Sequence, residues 1–314
     1  MQTHSGRPFR TGLLALVVAF SPAALCADVA GHRTVDLPLL LDLPGNLASV
    51  RYTPGSLDRA ASVQARFELL TEEFSHTRFK ANAVVFYVLS PEDWAAARVA
   101  NPYGDPMALA TDALVVPAWA DGELIGRVRG WLGGPIPLPN GLPLLATREE
   151  AGALGISDLL AQIAVGRLLA TRANLRGDAG WIAPVMAHLV ARLAWDRFEP
   201  GRMPEIAALF DAMAAQDKNP GGHAVTAWDE RLPLPKRAYF EARFLRAADL
   251  IVTAKGSRAA RRILNKAIVG TQPLTEAVLF KEVPALADWL ATNFPPETPA
   301  PAPTAAAPAA NPPR

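Results

Sequence analysis

Residues 83–96 read AVVFYVLSPEDWAA. The run Ala83–Leu89 is rich in β-branched and aromatic side chains, which predicts a buried strand. Ser90-Pro91-Glu92-Asp93 then starts a helix, with a capping serine, proline at the first helical position and acids in the first turn. A strand that runs straight into a capped helix points to a small sheet with helices packed on it.

Upstream, Leu57, Ala60, Val63, Phe67, Leu70 and Phe74 recur at helical spacing and predict a helix over 57–75, with Ser56 as its cap. Residues 28–56 alternate apolar residues with Pro and Gly and read as an extended entry segment. Downstream, strands are expected at 113–119 and 123–128, joined through a hairpin at Asp121-Gly122. The stretch 130–143, GWLGGPIPLPNGLP, reads as a long surface loop.

Beyond it the pattern is helical throughout. Helices are expected near 157–172, 181–195, 204–216, 235–254, 257–269, 274–281 and 284–293, with Gly256 and Gly270 as helix-ending glycines. Strands first and helices afterwards is the pattern of an α+β protein with an all-helical C-terminal half. The expected organisation is a sheet-containing part at 57–150 and a helical part at 151–293.

The ends of the chain differ from this body. Arg7 and Arg10, the apolar run 12–20 and the small residues through Ala27 have the layout of a secretory signal covering 1–27. The expected location is therefore periplasmic or secreted. Cys26 admits lipidation as a second outcome, although Leu25 before it is larger than that processing favours. An uncleaved anchor is a third. Cleavage after residue 27 would remove the only cysteine, excluding disulfides and thiol chemistry from the mature chain. It would also take the formal charge from +1 to −1 by removing Arg7 and Arg10. That balance argues against a nucleic-acid partner. Residues 294–314 are almost all Pro, Ala and Thr and read as a disordered tail.

The order of elements resembles the gluzincin metallopeptidases, the thermolysin-like zinc proteases, over roughly 57–293. The resemblance is carried by several pieces. A helix ending RFELLTEEF precedes the strand AVVFYVL, the Ser-Pro-Glu-Asp-Trp helix start and the strand ALVVPAW. The apolar run 159–165, LLAQIAV, falls where the family has H-E-x-x-H, and 180–187, GWIAPVMA, where it has W-x-x-E-G-x-A. The long helix opened by YFEA at 239–242, the run RRILNKA, LTEAV and the helix around Trp289 look like the family's helical subdomain.

The family's chemistry needs two histidines one helical turn apart on zinc, a glutamate between them to activate the bound water, and a second glutamate as ligand. The matching positions here are Ala161, Gln162, Val165 and Pro184. None of these side chains is a zinc ligand of the required kind, and Gln162 cannot take a proton as a base. Of the histidines left after residue 27 (His32, His76, His188 and His223), no two form an H-x-x-x-H. The resemblance therefore implies a gluzincin-like protein without metal, cofactor or the family's catalytic residues, whose partner is a peptide or an envelope protein.

Other sites were sought. His188 lies one turn after Pro184 and could pair with Gln162 on the floor of a cleft. It could also be a structural histidine bonded to a neighbour. Trp119, Trp181 and His188 are the candidate cleft residues, and the segment 113–119 is the candidate edge strand for an extended peptide. The alternative function is a hydrolase with a non-standard site around His188. His223 is expected on a solvated loop. Ser157, in Gly155-Ile156-Ser157-Asp158, reads as a helix cap rather than a nucleophile. Lys255, Arg258, Arg261, Arg262 and Lys266 form a basic helix face, either a solvated surface or one for an anionic polymer or lipid.

Overall fold

The computed structural model describes residues 37–294 except 38, 76–83, 111, 121–122, 133–148, 173–176, 178, 199–200, 202, 218–222, 230–231 and 270–273. The expected signal, the tail beyond Phe294, the Asp121-Gly122 turn, most of the 130–143 loop, His32, His76 and Gly270 lie outside the described residues.

The fold is α+β: a small mixed sheet in the N-terminal half and helices through the C-terminal half. Five strands, β1 Leu41–Leu43, β2 Ala48–Tyr52, β3 Val84–Leu89, β4 Met107–Ala110 and β5 Ala113–Pro117, lie in the order β1-β2-β3-β5-β4. β2, β3 and β5 are mutually parallel, and β1 and β4 run antiparallel at the two edges.

The central strands are covered on both faces, which is why they read as unbroken apolar runs. Phe86, Val88, Leu114 and Val116 face the main core, while Tyr87, Leu89, Ala113 and Val115 face a smaller one with Leu37, Leu40 and Trp94. Helix α1, Leu57–Ser75, lays Ala60, Val63, Phe67 and Leu70 on the main-core face, and Phe67 stacks on Phe86 with ring centroids 4.3 Å apart. Helix α2, Pro91–Ala96, starts as expected: the Ser90 side chain accepts from the Asp93 amide. Ser56 plays another part, since its hydroxyl donates to the Thr53 carbonyl at 2.7 Å.

The entry segment supplies the first two strands. Gln64 of α1 holds their turn by donating to the carbonyls of Leu43 and Ala48 at 3.1 and 3.0 Å. Gly45 fits there because a Cβ would lie 2.1 Å from the Ala48 oxygen.

Two expectations fail next to the sheet. Residues 123–128 are not a strand but part of helix α3, Glu123–Leu132, which also takes in the first residues of the expected loop. Leu124 and Val128 are its buried pair. A separation of four fits both a strand face and one helical turn, so the two periods coincide there. β5 already has β3 on one side and β4 on the other, leaving no place for a hairpin partner. For the same reason 113–119 is not an edge; that role falls to β4, which the sequence reading did not detect.

The helical half comprises α4 Glu149–Arg172, α5 Ile182–Phe198, α6 Met203–Ala214, α7 Leu234–Lys255, α8 Ser257–Val269, α9 Glu276–Glu282 and α10 Ala285–Asn293. From Ile156 to Ala170, α4 is buried almost all round, because the sheet, α1, α3 and α5 surround it. It meets α5 very closely at Gly166, where a Cβ would lie 2.3 Å from the Ala187 carbonyl oxygen. α7 packs on α5, α6, α8 and α10, and ends at Gly256 with φ +75°. None of the described helices is long and apolar enough to cross a membrane.

Candidate functional site

A cleft of about 430 Å³ opens between the edge strand β4 and helix α4. One wall is Met107–Ala110 with Asn101 and Pro106. The other is Ala164, Arg167, Leu168 and Thr171, one face of α4 by their three- and four-residue spacing. Arg237, from the first turn of α7, completes the lining.

The segment leading into β4 is fixed to the helices. Ser157 is not a cap: it lies inside α4, fully buried, and its hydroxyl donates to the Gly104 carbonyl at 2.9 Å. Arg237 donates to both oxygens of Asp105 at 2.6 and 2.7 Å, and the pair is buried. Burial pushes the Asp105 carboxyl up from its ordinary range, and Arg237 pulls it back only in part. A second buried pair, Arg59 with Asp158 at 2.5 and 3.1 Å, ties α1 to α4.

Behind the cleft, three helices converge on one carboxylate. Glu241 of α7 receives Arg167 of α4 on Oε1 and His188 of α5 on Oε2, each at 2.6 Å. The other ring nitrogen of His188, Nδ1, is 2.8 Å from the Pro184 carbonyl. A carbonyl only accepts, so Nδ1 carries a proton. The Nε2–Oε2 approach is an ion contact and not a well-aligned hydrogen bond, since neither atom has a partner of good hydrogen-bond geometry. Burial would push Glu241 up; Arg167 and His188 reverse this and bring its pKa down to about 2.

The positions matched to zinc chemistry do not fit a metal. Ala161 and Val165 are fully buried apolar contacts in the core. The Gln162 amide oxygen accepts from the Trp195 indole, which joins α4 to α5. Pro184 is buried and offers its carbonyl to His188. Among the described residues no group of three or more His, Cys, Asp or Glu side chains could hold a metal ion.

The candidate cleft residues lie elsewhere. His188 is fully buried, bonded to Pro184 and Glu241 and not to Gln162. Trp181 is buried beside Phe280 and Trp289, with its indole donating to Glu276. Trp119 is 39 % exposed, and its amide donates to the Tyr103 hydroxyl at 3.0 Å. None of the three lines the cleft. His223 is not on an open loop but half-buried: it bonds Asp217 at 2.7 Å and packs edge-on against Tyr239.

The sequence reading missed Arg167, Glu241, Arg237 and Asp105. A signal was present, because Arg167 is a lone charge in the apolar run IAVGRLLA and Glu241 a lone acid in AYFEARFL. A charge in such a run is rarely buried without a partner. Neither run names the partner.

No protein-family model, curated protein or solved structure matches this chain.

Proposed function

We propose that this chain is an exported, zinc-free relative of the gluzincin peptidases that holds an extended peptide without cutting it. The peptide would belong to a protein of the cell envelope or its surroundings. One observation carries the reading: an edge strand, β4, forms a wall of the cleft, while the positions expected to hold zinc are filled by core packing. An edge strand presents unpaired backbone groups to which an extended chain can add, with side-chain pockets alternating along it. A hydrolase built on His188 would need that ring to reach a substrate, and its side chain has no exposed surface.

The test is peptide selection from a random displayed library on the purified chain from residue 28 onward. Recovered peptides should bind with their masses unchanged after prolonged incubation, with or without added zinc. Thr171→Trp, an exposed position on the α4 wall, should block them while leaving the melting temperature unchanged. Zinc-dependent cleavage, or binding indifferent to Thr171→Trp, would overturn the proposal.

A further inference from the structure

We propose that the cleft recognises a carboxylate on its peptide through Arg167; this rests on the peptide-binding reading above. Among the described residues that line the cleft, the charged ones are these two arginines, and no acid is among them. The remainder of the lining is apolar or neutral, so nothing there screens a cation from a ligand. Arg167 is the accessible one, its side chain 21 % exposed against 6 % for Arg237.

Glu241 and Asp105 each face one guanidinium, and His188 lies 2.6 Å from the second oxygen of Glu241. Arg167 thus holds one oxygen of Glu241, and no acid among the described lining residues offers the guanidinium a second partner.

Geometry favours a carboxylate over a more diffuse anion. Glu241 takes one of the five N–H donors of Arg167 and fixes the plane of the guanidinium. A planar fork held in one orientation suits the two oxygens of a carboxylate. The edge strand beside it would carry the peptide backbone, so the carboxylate belongs to a chain lying along β4. It is either the C-terminal carboxylate or an Asp or Glu side chain.

The experiment uses the purified chain from residue 28 onward and fluorescein-labelled nonapeptides of Val, Ser and Thr, read by fluorescence polarisation. One peptide has an amidated C-terminus and no charge. A second differs only in its free C-terminal carboxylate. A third is amidated with a central Glu, and a fourth is amidated with a central Lys. One or both carboxylate peptides should bind about tenfold or more tightly than the neutral one, and the Lys peptide most weakly. Preference for the second peptide identifies the chain terminus, and preference for the third a side chain. Arg167→Gln should abolish the preference. Thr171→Glu should also abolish the preference, from an exposed position and without disturbing the buried cluster. Equal binding of all four peptides would overturn the carboxylate proposal and leave the peptide-binding reading standing. Binding of none would overturn both, and a preference surviving both substitutions would overturn the role of Arg167.

Discussion

His188 Nε2 lies 2.6 Å from Glu241 Oε2, joining α5 to α7 in a core where both side chains are almost fully enclosed. The second oxygen of the same carboxylate holds Arg167 of α4. One acid thus meets a side chain from each of two other helices, His188 of α5 and Arg167 of α4. The arrangement positions Arg167 and ties the cleft to the packing of the helical half.

Removing that acid should be costly. Glu241→Ala leaves the Arg167 guanidinium and the enclosed His188 ring without the carboxylate they share, and breaking a buried pair in this way costs about 3–5 kcal/mol. Glu241→Gln keeps the shape and one acceptor and should cost less. Denaturant midpoints of the two variants against the parent chain measure the difference.

Acid should weaken the fold through the same residue. The Glu241 pKa is about 2 in the folded chain against an ordinary 4.5, so its contribution is complete above 4.5 and is lost as pH falls towards 2. The contribution is on the order of 3 kcal/mol. Asp105 acts in the opposite sense, because an acid whose pKa is raised by folding favours the folded state less as pH climbs through its range. Stability measured between pH 2 and 6 should rise with pH, and the slope should flatten in Glu241→Gln.

The α4–α5 contact should tolerate no added methyl. In Gly166→Ala the new carbon would lie 2.3 Å from the Ala187 oxygen, a backbone atom that moves only with its helix. The expected loss is about 1–3 kcal/mol. Gly126→Ala, on α3 with nothing within 4 Å of the added carbon, should instead stabilise by up to about 1 kcal/mol. Thermal melts of the two variants should move in opposite directions.

Gln162 should prove structural. Gln162→Leu strands the Trp195 indole N–H without its acceptor and should cost about 1–3 kcal/mol, with a shift in tryptophan fluorescence. Gln162→Glu restores the acid the gluzincin resemblance assigns to that position. It should still produce no zinc-dependent hydrolysis, because Ala161, Val165 and Pro184 bring no ligand side chain. Titration with zinc followed by a peptidase assay checks both parts.

The elements of the fold were legible where local chemistry and tertiary packing agreed. The periodic face of α1, the capped start of α2 and the continuous runs of β3 and β5 all carried their own signals. β4 did not: Met107–Ala110, MALA, has no β-branched residue and becomes a strand because β5 offers it an edge. Residues 123–128 misled in the opposite way, their apolar spacing serving strand and helix alike until the filled sheet left only the helix.

The sequence by itself determined the α+β order, the length of most helices and the absence of zinc ligands at Ala161, Val165 and Pro184, because these depend on residue types and their local spacing. Only the tertiary structure decided that β4 is the edge, that His188 is enclosed and that Arg167 stands at a cleft with Glu241 behind it. Arg167 and Glu241 are 74 residues apart in the chain, on different helices. A charge buried in an apolar run announces that it needs a counter-charge; which one it meets is settled by how the helices cross.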